Sequence, residues 1–110
     1  MATQANITID QGSDYISDIH LTDINGAPLI LSSHTVAGTI KKTYTSQNSV
    51  AFTATITDTI NGDIALALTH VQTSAMKAGR YVYDVEITDV NTNTITRVLE
   101  GQVEITPSVT

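Results

Sequence analysis

The 110-residue chain contains no cysteine and no tryptophan. Without cysteine there is no disulfide framework, thiolate metal site, redox pair or thiol nucleophile. Basic residues are scarce. Five Lys and Arg stand against eleven Asp and Glu, a net charge of −6. Such a balance disfavours phosphate backbones and anionic lipid surfaces, so neither nucleic acid nor membrane is an expected partner. The first basic residue is Lys41, so a signal or transit peptide, which opens on a positively charged region, is not expected. The longest apolar run is Ile64-Ala65-Leu66-Ala67-Leu68, far short of a membrane span. Only 15% of residues are charged, which excludes a polyelectrolyte coil. Helix builders are few, with six Leu and three Glu.

What abounds is the β-branched residue. Nineteen Thr, thirteen Ile and nine Val make 41 of the 110 positions. These side chains are stiff at χ1 and suit a pleated surface. Two-residue alternation predicts strands over 6–10, 14–22, 36–45, 49–57, 62–68, 80–88 and 94–106. Tyr15, Ile19 and Leu21 share one face, and Val36, Ile40 and Tyr44 another. Val50, Phe52, Ala54 and Ile56 are in phase, as are Ile64, Leu66 and Leu68. Tyr81, Tyr83, Val85 and Ile87 are expected to line a core opposite Phe52 and Ile56. Gly101 suggests a bulge or bend in the last strand.

Turn chemistry separates these runs. Thr-Asp closes a strand at Thr22-Asp23, Thr57-Asp58 and Thr88-Asp89, followed by Asn25-Gly26, Asn61-Gly62 and Asn91-Thr92-Asn93. Between 70 and 78 the pattern changes. Thr69 can cap a short helix, Ala75 and Met76 favour it, and Gly79 ends it. The expectation is one all-β domain over 1–110: an immunoglobulin-like antiparallel β-sandwich of about seven strands with one short helical turn.

Sites for chemistry are sparse. His20, His34 and His70 form no metal-binding spacing, and no nucleophile elbow or phosphate loop occurs. Asp84 and Glu86 share a strand face, where neighbouring acids are ordinarily just solvated. Asp89, Asn91, Asn93 and Glu100 imitate part of a calcium loop, but its sixth position is Thr94 where the loop demands Gly. The segment therefore reads as a polar hairpin tip. No metal, cofactor or catalytic residue is expected, and the chain is expected not to be an enzyme. A tyrosine hydroxyl tying a loop corner is the anticipated use of the aromatics.

From Asp14 onward, ordered motifs accumulate. They are Asp14-Tyr15, the turn Asp23-Ile24-Asn25-Gly26-Ala27-Pro28, then Thr57-Asp58, Gly62, Leu66-Ala67-Leu68 and Gln72-Thr73. The run Ala78-Gly79-Arg80-Tyr81-Val82-Tyr83-Asp84-Val85-Glu86 follows, then Arg97, Gly101 and Val103 to Pro107. In order and spacing they resemble a family of small structural proteins of tailed bacteriophages. Those are similar to the immunoglobulin-like N-terminal domain of the upper baseplate protein BppU.

The resemblance implies a virion component that assembles with other virion proteins and with copies of itself, as part of the tail, baseplate or neck or as a capsid decoration. A module that binds host-surface glycan or protein at a fibre or baseplate tip is the alternative. The resemblance carries over no catalytic residue. Expected contacts with neighbours are the unpatterned N-terminal arm (1–5: Ala2, Thr3, Gln4 and Ala5 after the initial Met) and the tail (107–110: Ser108, Val109 and Thr110 after Pro107). Lys41 and Lys42 are expected to guard an edge strand or meet an acidic neighbour.

Overall fold

The computed structural model describes residues 3–109. Two sheets face each other. The larger contains β1 (Thr3–Gln4), β2 (Ile7–Asp10), β4 (His34–Lys41), β5 (Ser49–Ala51), β8 (Gly79–Asp89) and β9 (Thr94–Thr106). The smaller contains β3 (Tyr15–His20), β6 (Thr53–Asp58) and β7 (Asp63–Leu68). Strand order is β9-β8-β4-β5 in the first, with β1 and β2 both on the outer side of β9, and β3-β7-β6 in the second. This arrangement is an immunoglobulin-like sandwich, with a GFCC′-type sheet packed on a BED-type sheet.

The alternation places the core. Ile40, Phe52, Ile64, Leu66, Tyr83, Val85, Ile87, Val103 and Ile105 are buried. Tyr81 and Ile56 are only half-buried, at the margins of the face where the sequence puts them. Phe52 lies between Tyr15 and Tyr83, with ring centroids 6.4 and 6.1 Å away, the second pair edge to face. Gly38 gives it room, because a Cβ there would stand 2.9 Å from the Phe52 ring.

Several expectations are corrected. The sheet is not antiparallel throughout: β1 and β2 run parallel to β9, Thr3 beside Leu99 and Ile7 beside Val103. The expected strand 6–10 therefore begins earlier and is broken at Ala5-Asn6. The expected strand 49–57 divides at Phe52, where the chain leaves the large sheet for the small one. Alternation continues unbroken through this switch because both inner faces look onto one core. Counting each divided strand once, the nine strands of the described residues become the anticipated seven.

The strand expected over 36–45 ends at Lys41, so Tyr44 leaves the phase of Val36 and Ile40 and is 81% exposed. Gly101 marks no bulge. The register shift instead falls between Val85 and Glu86, opposite Leu99 and Arg97. Gly101 is needed because a Cβ would overlap the Ala5 carbonyl oxygen where the arm crosses β9.

Among the described residues the single helix, α1 (His70–Ala75), carries the chain from the small sheet back to the large one. Thr69 caps it, as expected, and Gln72 completes the cap reciprocally. It ends at Met76, which is extended in backbone and buried in side chain, and not at Gly79, which opens β8. Thr73, fully buried, donates to the Ser13 carbonyl at 2.9 Å and accepts from the Gly12 N–H at 3.0 Å, stapling α1 to the β2–β3 connection.

Candidate interaction surfaces

The arm expected to contact neighbours has a partner in its own chain. Thr3 and Gln4 take ladder positions on β9, and the Ala5 N–H donates to the Glu100 carbonyl at 2.9 Å. The Tyr83 hydroxyl donates to the Ala5 carbonyl at 2.6 Å. Burial, with a smaller effect from Tyr15, pushes the Tyr83 phenol up to about 12. The side chains of Thr3 and Gln4 still face solvent. At the other terminus the Ser108 N–H donates to Gln11 Oε1 at 3.1 Å, and Val109 is fully exposed. Gln11 also donates to the Met76 carbonyl at 2.8 Å, so one side chain joins α1 to the tail. Ala2 and Thr110 lie outside the described residues.

Lys41 and Lys42 do not guard an edge. Lys41 is paired on both sides, with Val82 of β8 and Ser49 of β5. Lys42 stands just beyond β4 with its Nζ 4.6 Å from the centroid of the Tyr81 ring. Tyr81 in turn donates to the Lys77 carbonyl at 2.7 Å, the loop-corner tie anticipated for a tyrosine.

Each Thr-Asp motif has one physical job. Asp23 Oδ1 accepts from the Asn25 and Ala27 N–H groups, Asp58 Oδ1 from those of Ile60 and Asn61, and Asp89 Oδ1 from that of Asn91. These are Asx turns, which close the chain over a few residues. The Asn61 backbone and side chain, then the Ile60 N–H, hold the Asp58 carboxyl below its ordinary range. The calcium-like set falls apart in three dimensions. Asp89 pairs with Thr94 at the hairpin base, Asn93 adopts φ 57° in the turn, and Glu100 stands opposite Asp84 well down the strands.

The histidines serve locally. His20 Nδ1 is 2.8 Å from Asp63 Oδ1, and His34 Nδ1 is 2.8 Å from the Ser32 carbonyl. His70 meets Asp14 through both its backbone N–H, at 2.6 Å, and its ring, at 2.9 Å. Those bonds, the backbone one foremost, hold the Asp14 carboxyl below its ordinary range. Among the described residues no three His, Cys, Asp or Glu side chains gather as a metal site.

The outer face of the large sheet holds a shallow depression of about 360 Å³ lined by Lys41, Tyr44, Asp84, Glu86, Arg97 and Glu100. Arg97 Nε lies 3.4 Å from Asp84 Oδ2, both partly exposed. Asp84 faces Glu100 directly across the ladder, and Glu86 faces Arg97. This is a polar hollow with one accessible ring, suited to hydrogen bonding. The residues that sequence analysis missed lie at the turns. Ile24, Ile30, Ile60 and Val90 are exposed there. The available signal was an aliphatic set among turn residues after each Thr-Asp: Ile24, Ile60 and Val90.

No protein-family model and no curated protein matches the sequence. Among solved structures, the crystal structure of Listeria monocytogenes InlP is similar at TM-score 0.50 and 18% identity. The likeness covers 94% of this chain and 27% of InlP, and it bears on the fold alone. A structure from photo-crosslinking analyses of multimeric cell-adhesive interactions of VGSC beta subunits is similar at TM-score 0.42 and 10% identity. That match covers 97% of this chain and 93% of the other and is too loose to argue from.

Proposed function

We propose that the chain is a non-enzymatic structural protein of a bacteriophage particle. It acts by assembling with other virion proteins and with copies of itself, without a cofactor. The observation that carries this reading is where the exposed apolar side chains lie. Among the described residues Ile24, Ile30, Tyr44, Ile60 and Val90 stand out on turns and loops and Val109 on the tail, with Ile16, Val71 and Ile95 on β3, α1 and β9, so apolar surface is presented outward, as on a surface made to meet other proteins. The ordered motifs from Asp14 to Pro107 supply the phage context. Quantitative mass spectrometry of purified particles tests it. A fixed, high copy number per particle is expected, and absence from washed particles refutes the reading.

The polar hollow favours a second reading, a host-surface binding module. An exposed Tyr44 beside Arg97 and three carboxylates offers stacking and hydrogen bonds to a sugar. A glycan array settles that choice: saturable binding abolished by Tyr44→Ala would favour it, and no binding removes it.

A further inference from the structure

We propose that the Asp-capped turn end of one copy docks on the α1 end of the next, building a head-to-tail string. The inference rests on the assembly reading above and names the surfaces and the partner, a second copy of this chain.

The geometry defines two ends. The thirteen residues of β9, at about 3.3 Å each, span about 43 Å. The molecule measures 43 × 27 × 22 Å, so its long axis follows the strands. The β3–β4, β6–β7 and β8–β9 turns share one end. The Leu31 N–H donates to the Thr59 carbonyl at 2.8 Å and the Val90 N–H to the Ser33 carbonyl at 2.9 Å, binding the three loops together. The opposite end holds α1, the close of β4 and the start of β8.

The turn end is apolar and acidic. Ile24 is 99% exposed, Ile60 68% and Val90 53%, with Ile30 beside them. None of these side chains is required by its turn, because Asp carboxylates, Asn and Gly do that work. Asp23, Asp58, Asp63 and Asp89 stand at this end. All five Lys and Arg lie among the described residues, and none is in these turns.

Four of the five are at the other end. Lys41 and Lys42 close β4, Lys77 lies in the α1–β8 connection, and Arg80 opens β8. Asp10, Asp14 and Glu104 share that end, and Asp14 is engaged by His70. Exposed apolar side chains stand here too: Val71 and Val109.

Charge therefore decides the mode of pairing. Turn end against turn end would set aspartates against aspartates. Turn end against α1 end sets them against an end where four basic residues outnumber three acids, one of which His70 already engages, with aliphatic surface meeting on both sides. Such a contact is heterologous. It propagates as an open chain or closes as a ring, with a repeat near the 43 Å length.

Sedimentation velocity on the full chain tests this. The wild type should show a concentration-dependent series of oligomers that dissociate as salt rises from about 0.01 to 1 M, where the Debye length falls from about 30 to about 3 Å. Two variants break one end each: Ile24→Ser/Ile60→Ser/Val90→Ser, and Lys42→Glu/Lys77→Glu. Each alone should be monomeric. Mixed, they should form a dimer and stop, because one intact turn end meets one intact α1 end. Melting curves check that both fold. If either triple or double variant unfolds, Ile60→Ser and Lys77→Glu alone should each weaken association at least tenfold.

A wild type that stays monomeric at all concentrations overturns the proposal. So does a mixture that fails to pair while a single variant still dimerises. The particle copy number is read separately. A chain present in virions at fixed copy number, yet monomeric in solution and incorporated normally as either variant, would sink the docking and leave the structural role standing.

Discussion

The two edges of the large sheet are closed in different ways. At β5 the edge is three residues long because the chain abandons it at Phe52 and continues as β6 in the other sheet. At β9 the edge is covered from outside by β1 and β2, laid on in parallel with a break at Ala5-Asn6. A glycine stands under each crossing. Gly38 accepts the Phe52 N–H at its carbonyl and leaves space for the ring, while Gly101 leaves space for the Ala5 backbone. One crossing is anchored by a buried side chain. The other is held by backbone bonds and one phenol. Edges left open are templates for unwanted pairing, and each of these devices shortens or covers one.

That contrast can be broken first at its stronger side. Phe52→Ala should cost about 3–5 kcal/mol, since it empties the space between Tyr15 and Tyr83. A denaturant melt gives the value. The β5 edge should lose its amide protection together with the whole core, because Phe52 belongs to both sheets' inner packing.

Gly38→Ala comes next. The new methyl would meet the Phe52 ring at 2.9 Å, with Val85 and Leu66 close behind at 3.4 and 3.5 Å. Overpacking of this kind costs about 1–3 kcal/mol. Phe52→Leu should restore part of it, and a double-mutant cycle measures the coupling.

How much of this the sequence disclosed follows the same division. The faces of β3, β7 and β8 were legible because burial on one side imposes a period of two, and Ile64, Leu66, Leu68, Tyr83, Val85 and Ile87 obey it. The Asp-capped turns were legible because few residues tolerate those dihedrals. The switch at Phe52 was hidden, since Val50, Phe52, Ala54 and Ile56 stay in phase across two sheets. The parallel arm was hidden too. A two-residue strand has no periodicity, and Gly101 shows only that something comes close, not that it is Ala5. The polar hollow assembles Lys41, Asp84, Arg97 and Glu100 from three strands, which no spacing within one segment reveals.

At the weaker edge, Gly101→Ala should act locally. The methyl would collide with the Ala5 carbonyl and lift the arm, giving up the Ala5–Glu100 bond, the β1 pairing and the Tyr83 tie. The Ala5–Glu100 bond and the Tyr83 tie alone are worth about 1–3 kcal/mol together. Hydrogen exchange should show the Ala5 amide losing protection while β8 keeps its own. Equal loss along β8 would mean that the arm is integral to the core and that the two edges do not differ.

The smallest effect isolates the phenol. Tyr83→Phe removes one hydrogen bond and leaves the half-buried Ala5 carbonyl without that donor, a change of about 1 kcal/mol at neutral pH. Its signature is in the pH dependence. The folded Tyr83 phenol titrates at about 12, against 10.0 for an ordinary tyrosine, because burial disfavours the phenolate. An acid whose folded value is raised stabilises the fold fully below the unfolded value. That contribution is then lost as pH climbs from about 10 towards 12. The wild type should therefore lose stability over that interval more steeply than the Phe variant, and the two melting temperatures should converge. Ultraviolet titration should show the Tyr83 phenol ionising at about 12 in the wild type and that step missing in the Phe variant. If the wild-type and variant curves stay parallel through pH 12, the phenol is open to water and does not sit buried beneath the arm.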